Sequence, residues 1–245
     1  VIGLFKKNKR VTTQEQLKVD LHSHLIPQID DGVESTEESL EILKELVNLG
    51  YQKVITTPHI MSDFFNNSEE KILTGLNSLR SAIRSENIPI TIEAAAEYYL
   101  DEAFYERISD PKDEFLTFGN NFLLFETSFM NEPFYLKDFI FKITSRGITP
   151  VMAHPERYAY IQANYDMIDD LLNRGVLLQI NINSLDGYYS KEVKRLAERI
   201  IDEGKVHFIG SDCHNAKHLS VLKKARERKY YMKALDLPLL NNTLL

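Results

Sequence analysis

Short apolar runs alternate with longer amphipathic stretches from residue 17 almost to the end of the chain, and this alternation restricts the fold more than any other feature. The runs cover residues 17–21, 54–57, 90–96, 122–125, 148–153, 176–182 and 206–209. Each is followed by a helix-like stretch or by a loop leading into one, and the helical stretches are read over 35–49, 68–85, 133–146, 165–174, 190–203 and 219–235. The clearest of them opens with Ser35 and Glu38 in a capping-box pattern, repeats apolar residues at Leu40, Leu43, Leu46 and Val47, and is closed by Gly50. Repeated strand–helix alternation implies a parallel sheet. Seven strands over this length suit an α/β fold of the distorted seven-stranded (β/α) barrel, TIM-like type. The alternative is an open doubly wound sheet, which would normally carry a glycine-rich phosphate loop after its first strand. His22-Ser23-His24 stands there instead.

No low-complexity tract or Pro/Gly-rich linker divides the chain, so residues 17–245 are read as one domain behind a polar, basic N-terminal arm at 1–16. No apolar run is long enough to cross a bilayer, and residues 1–10 lack the apolar core of a signal peptide. Cys213 is the only cysteine, which excludes an internal disulfide and fits a reducing cytoplasm. A net charge of −7 argues against a general nucleic-acid binder. It leaves room for a local basic pocket.

The polar residues concentrate where the apolar runs stop. The run ends read Asp20-Leu21-His22-Ser23-His24, Thr57-Pro58-His59, Ala95-Ala96-Glu97, Phe125-Glu126-Thr127, Ala153-His154-Pro155, Asn181-Ile182-Asn183 and Gly210-Ser211-Asp212-Cys213-His214. Residues two apart on a strand share a face, so His22 and His24 point together. In a parallel barrel all these ends meet at the face where barrel enzymes do their chemistry. One strand-end histidine is more often structural than a ligand. Five of the seven histidines lie at such ends here, joined by Glu97, Glu126 and Asp212. Buried unpaired, each carboxylate would cost several kcal/mol. Divalent cations neutralise such a cluster, and the mixed N/O donors suit Zn²⁺, Mn²⁺ or Fe²⁺ better than Ca²⁺. His207 falls within the last run and reads as structural.

Three further features stay open from spacing alone. Asp30-Asp31-Gly32 is either a turn in which the glycine takes an unusual backbone angle, or a loop that brings Asp31 over the strand ends as another ligand. Arg157, three residues after His154, is either a phosphate-binding fork or a partner in a surface ion pair. Phe64, Phe65, Tyr98, Tyr99, Phe129, Phe134 and Tyr158 are either lid packing or a pocket for an aromatic leaving group.

Together these motifs, with His154-Pro155-Glu156-Arg157-Tyr158 and Ser211-Asp212-Cys213-His214, resemble the polymerase-and-histidinol-phosphatase (PHP) family, over about residues 18 to 220. More closely, the chain is similar to the metal-dependent tyrosine-protein phosphatases of bacterial capsule and exopolysaccharide clusters. The resemblance implies three divalent ions per chain, Mn²⁺ before Fe²⁺ or Zn²⁺. It implies a first ion on His22, His24, Glu97 and Asp212, a second on Glu97, Glu126 and His154, and a third on Asp31, His59 and His214. It makes Arg157, Asp31 and His59 the catalytic residues and Arg157 a phosphate ligand. Two departures stand out. Where family phosphatases often carry a second arginine, this chain reads Asn215-Ala216-Lys217-His218-Leu219, leaving Lys217 or His218 as candidate substrate-binding groups without the arginine fork. No basic residue stands just after Glu37-Glu38-Ser39, near where an arginine helps capsule phosphatases assemble, so the oligomeric state is left open.

The implied activity is cytoplasmic hydrolysis of phosphotyrosine on a protein, such as the tail of a bacterial tyrosine kinase, with no nucleic-acid partner and no membrane insertion. Water whose pKa the cations lower would attack phosphorus in line with the leaving oxygen. Cys213 is not the nucleophile, because the residue six places on is Leu219 and not the arginine of a cysteine-type phosphate loop. The competing readings are a PHP phosphatase of histidinol phosphate or another small phosphoester, an amidohydrolase, and a metal-stabilised scaffold that binds phosphorylated tails without turnover.

Overall fold

The structure, a computed structural model, describes residues 16–245. The expected N-terminal arm therefore lies outside the described residues except for Gln16. Among the described residues are nine strands and nine α-helices, in the order β1 (Val19–Leu21), α1 (Thr36–Asn48), β2 (Lys53–Thr56), β3 (His59–Ile60), α2 (Glu69–Ser85), β4 (Thr91–Ala94), β5 (Glu97–Tyr99), α3 (Glu102–Ser109), β6 (Phe122–Glu126), α4 (Leu136–Ser145), β7 (Thr149–Ala153), α5 (Ala159–Ala163), α6 (Asp166–Asn173), β8 (Leu177–Asn181), α7 (Lys191–Asp202), β9 (Phe208–Gly210), α8 (Ala216–Ala225) and α9 (Lys229–Leu235). Short 3-10 helices cover Pro155–Arg157, Ile182–Asp186 and Asn241–Leu244. No helix among the described residues is long and apolar enough to cross a membrane.

The expected parallel α/β architecture is present, and every ladder is parallel. The ladders form two sheets, β1-β2-β4 and β3-β5-β6-β7-β8-β9, in place of the single closed seven-stranded sheet expected from sequence. Each apolar run overlaps a strand. Two strands continue past a break, at Thr57-Pro58 between β2 and β3 and at Ala95-Ala96 between β4 and β5. Pro58 has no N–H to give to a ladder, so a strand crossing it cannot stay continuous. Ser23 and Cys213 bridge the other edge, where His24 N–H donates to Cys213 O at 2.9 Å.

Both faces of the sheets are buried, as parallel sheets require. Val54, Leu123, Phe125, Met152, Leu178 and Ile209 pack outward against the helices. Their alternates Val19, Leu21, Ile55, Leu124, Val151 and Phe208, drawn from both sheets, share one smaller cluster closed by Phe118 and Leu244. That cluster gives the strand ends an apolar floor. Gly210 makes the closure at β1 feasible, since an added Cβ there would lie 1.9 Å from Leu21 O.

The helices begin where their caps place them. Ser35 Oγ accepts from Glu38 N–H at 3.1 Å and Ser68 Oγ from Lys71 N–H at 3.2 Å, each such cap being worth about 1 kcal/mol. After α1, Gly50 takes φ 94°, and Tyr51 N–H donates to Leu46 O at 3.0 Å. The single helix expected over 219–235 is instead two, α8 and α9, separated at extended Arg228. No glycine or proline marks that break.

Candidate metal centre

The strand ends carry an unusual backbone. His22 has φ 78°, His154 φ 35° and Asp212 φ 48°, which places three of the expected ligands in the left-handed region. Such conformations cost on the order of 1–3 kcal/mol each and persist where the surroundings dictate them. All three side chains join the same cluster of candidate ligands. Gly32 serves the same purpose differently from the expected unusual angle. Its φ is ordinary, but an added Cβ would lie 2.2 Å from His24 O, so only glycine lets the Asp30-Asp31 loop lie against His24.

All nine expected ligands come together. Four overlapping groups, His22–His24–Asp212, His22–Glu97–His154, His59–Glu97–Glu126 and His24–Asp31–His59–His214, each keep their donor atoms within 4.8 Å of one another. Glu97 is central. Its Oε2 lies 3.0 Å from His22 Nε2, 3.4 Å from His24 Nε2 and 3.3 Å from His59 Nδ1, while Oε1 lies 3.0 Å from His154 Nε2. Glu126 Oε1 is 3.2 Å from His59 Nδ1, and Oε2 is 3.8 Å from His154 Nε2. Asp31 does reach over the strand ends, with Oδ1 3.5 Å from His59 Nε2 and 3.4 Å from His214 Nε2.

The surroundings fix how these side chains point. His22 Nδ1 donates to Gln179 Oε1 at 2.7 Å, His24 Nδ1 to Asp30 Oδ2 at 2.7 Å, and His214 Nδ1 to Asp212 O at 3.0 Å. In each case Nε2 faces the cluster, the arrangement that prepares an imidazole to bind metal. Asp30 Oδ2 also accepts from His59 N–H at 3.0 Å. Asp212 divides its two oxygens. Oδ1 faces the imidazoles of His22, His24 and His214, while Oδ2 accepts from Asn181 Nδ2 at 2.6 Å, Tyr189 OH at 3.2 Å and Arg157 Nη1 at 3.2 Å. Asp30, Gln179 and Tyr189 carry no strand-end signature, and sequence reasoning did not assign them these roles. Gln179 bonds His22 across 157 residues, so nothing local announces it.

The electrostatics of the cluster favour cation binding. Burial alone would push His22 down, but the Glu97 and Asp212 carboxylates outweigh it and raise its pKa to about 9. Burial likewise opposes the ionised forms of Glu97 and Asp212. His22 and His59 overcome it for Glu97, and His22 and His214 overcome it for Asp212, leaving both well below the usual carboxylate range. Protons on imidazoles thus stand in for positive charge that metal ions would supply on binding. His24 Nε2 and His59 Nδ1 are buried without a hydrogen-bond partner, although both face carboxylates. Orphaned imidazole nitrogens beside buried carboxylates fit divalent metal ions.

A cavity of about 770 Å³ opens above the cluster. Arg157 reaches it from the 3-10 helix Pro155–Arg157, its guanidinium held 4.5 Å from the Phe129 ring centroid and 4.4 Å from that of Tyr189. Phe64, Phe65, Tyr99 and Phe129 line the cavity, as do Tyr188 and Tyr189. Tyr98 and Tyr158, expected in loops at the mouth, are core residues, and Phe134 lies outside this cavity at 91% exposure. His218 lines the cavity. Lys217 is exposed, with Nζ 5.2 Å from the ring centroid of Tyr188. His207, expected to be structural, accepts at Nδ1 from Leu178 N–H at 3.2 Å just before β9. Cys213 is buried, and burial pushes its thiol pKa up, the opposite of what a thiolate nucleophile needs.

Known proteins are similar to this chain over most of its length. The tyrosine-protein phosphatase CpsB of Streptococcus pneumoniae is 30% identical over 203 residues, covering 80% of this chain and 83% of its own. The tyrosine-protein phosphatase YwqE of Bacillus subtilis is 28% identical over 200 residues, covering 81% and 78%. A crystal structure from work on YwqE of Bacillus subtilis and CpsB of Streptococcus pneumoniae, described as unique metal-dependent tyrosine phosphatases, superimposes with a TM-score of 0.80 at 25% identity, over 93% of this chain and 94% of that one. The family described as capsular polysaccharide synthesis, CpsB/CapC, matches residues 18–234, and the chain belongs to that family.

Proposed function

We propose that this chain is a metal-dependent protein-tyrosine phosphatase, a phosphoric monoester hydrolase that acts in capsule or exopolysaccharide production on the tail of a bacterial tyrosine kinase. One observation carries the proposal: nine N/O donors, one pre-oriented guanidinium and an aromatic-walled cavity meet at the same strand ends. We take the two sheets as one distorted barrel of seven stations. In support, strands of both sheets share one inner cluster and Ser23 bridges Cys213.

Three divalent ions, Mn²⁺ first, would be held by His22, His24, Glu97 and Asp212, by Glu97, Glu126 and His154, and by Asp31, His59 and His214. When bound they supply a water of pKa near ~7 and neutralise charge on the phosphoryl oxygens. The chain's own groups do the rest. Arg157 binds the non-bridging oxygens. Its guanidinium is already fixed between two rings, so little ordering remains to be done at the moment of reaction. Asp31 and His59 hold the outer side of the same site. Phe65, Tyr99 and Phe129 exclude water and take the phenyl ring of the substrate. A phenol, of pKa about 10, leaves with little proton donation. His218, in the wall, and Lys217, beside Tyr188, are the remaining polar groups near the phosphate.

No lysine is buried among the described residues, so a carbamoylated-lysine amidohydrolase centre has no candidate ligand there. Phe64 at 79% and Met130 at 68% exposure border the cavity and suit a substrate presented on a protein better than an enclosed metabolite. The test compares phosphate release from a phosphotyrosyl peptide, p-nitrophenyl phosphate and histidinol phosphate by the Mn²⁺-loaded chain. Turnover of the first two supports the proposal, and turnover of histidinol phosphate alone would overturn it.

A further inference from the structure

A phosphotyrosine within a protein carries polypeptide on either side, so a cavity that accepts it must open onto a surface that accepts chain. A second cavity, of about 750 Å³, adjoins the metal centre and shares Tyr99 and Ser128 as common walls. Two loops run along both. Met61 and Phe64 line the metal cavity while Ser62 and Asp63 between them line the second. Phe129 and Met130 line the first, and the next residues, from Asn131 to Tyr135, line the second. The two cavities therefore form one trough with a shared ridge.

The far half of the trough has its own chemistry. Asp63, Asp101, Glu102, Glu106 and Glu132 line it, and no lysine, arginine or histidine does. Asp101 is engaged, accepting from Phe104 N–H at 2.8 Å and Ser62 Oγ at 2.7 Å. The other four form no ion pair among the described residues. Other exposed acids of this chain do, as in Lys44–Glu86, Lys142–Asp138 and Arg199–Glu203. Phe134 lies in this half at 91% exposure, with Phe64 and Met130 exposed on the metal side of the ridge. Large apolar side chains exposed along a groove mark a surface that receives a partner. The trough is thus bipolar. Its metal end, with Arg157, attracts phosphate, and its far end attracts cations and repels a second anion.

We propose that this far half receives the polypeptide flanking the phosphotyrosine, with Phe134 as its apolar contact, and that it favours flanks bearing lysine or arginine over flanks bearing glutamate or aspartate. The inference rests on the phosphatase reading above and adds to it a class of substrate sequence.

The test uses the full chain loaded with Mn²⁺ and phosphotyrosyl peptides that differ only in lysine, alanine or glutamate at the flanking positions. p-Nitrophenyl phosphate, which has no flank, is the control. Lysine-flanked peptides should exceed glutamate-flanked ones in kcat/KM on the order of tenfold at low salt, mainly through KM, with the gap narrowing as salt screens the exposed charges. The combined variant Glu102→Gln, Glu106→Gln, Glu132→Gln should bring the ratio to within about twofold and leave p-nitrophenyl phosphate turnover unchanged. Phe134→Ala should lower kcat/KM for every peptide severalfold and spare p-nitrophenyl phosphate. Equal use of lysine and glutamate flanks by the wild-type chain, or a preference that survives the triple substitution, would overturn the inference. Failure of the wild type on all phosphotyrosyl peptides would overturn the phosphatase reading, and this inference with it.

Discussion

The inner and outer halves of the candidate metal centre are built differently. His22, Glu97, Asp212 and His154 have side chains exposed by 2% or less, and three of the four sit on left-handed backbone. Asp31, in the outer half, is 56% exposed and arrives on a loop, while its partners His59 and His214 are exposed by 11% and 12%. Folding must create the inner half, because its charges are buried on an apolar floor. The outer half depends on one carboxylate that solvent can also satisfy. Its loop is held by Asp30 and by the close approach that Gly32 permits. The inner half should therefore behave as part of the fold and the outer half as an adjustable addition.

The largest expected effects come from the inner half. Glu97→Ala or His22→Ala should lower kcat/KM by on the order of 10³-fold or more and reduce bound metal measured by elemental analysis. Arg157→Ala, which removes no ligand and leaves Asn181 and Tyr189 on Asp212 Oδ2, should cost on the order of 10²–10³-fold with most of the bound metal retained. Asp31→Ala should cost less than Glu97→Ala and retain the inner ions. Equal losses from the two would erase the distinction between the halves. Gln179→Ala, which touches no metal site directly but holds His22, should weaken metal binding roughly 10–100-fold in a titration.

The inner half also makes a pH prediction for the metal-free chain. The folded-state pKa of His22 is about 9, above its ordinary 6.5. Its stabilisation is therefore complete below about 6.5 and is lost as pH rises through about 9. Thermal unfolding of the chelator-treated protein should shift to lower temperature across that window. Mn²⁺, which replaces the protons, should raise Tm more at the alkaline end. A Tm that is flat or rising over the same range would contradict the charge assignment. The smallest effect belongs to Cys213→Ser. The thiol lies buried beside the site without taking part, and activity should stay within about twofold.

The same contrast explains what could be read from the residues alone. Strand-end ligands such as His22, His24 and Asp212 are visible because each stands within three residues of the end of an apolar run, a pattern confined to a few residues. Ser35 and Ser68 were legible as helix starts for the same reason. Gln179 and Tyr189 were not, because they act across the sheet on His22 and Asp212, and a glutamine inside a strand has no local signature. The breaks in the second and third runs went unseen, although Pro58 carries the physical cause of one. Tyr98 and Tyr158 were expected at the mouth because they neighbour ligands in sequence. Strand alternation turns Tyr98 away from Glu97 and into the core, where its hydroxyl donates to Glu69 Oε1 at 2.9 Å.

Phosphate release from a phosphotyrosyl peptide by chelator-stripped protein, before and after Mn²⁺ is added back, tests the central claim most directly. The stripped chain should show no turnover above background, and Mn²⁺ should restore it. Full turnover in excess chelator, with metal shown to be absent, would contradict a metal-dependent phosphatase.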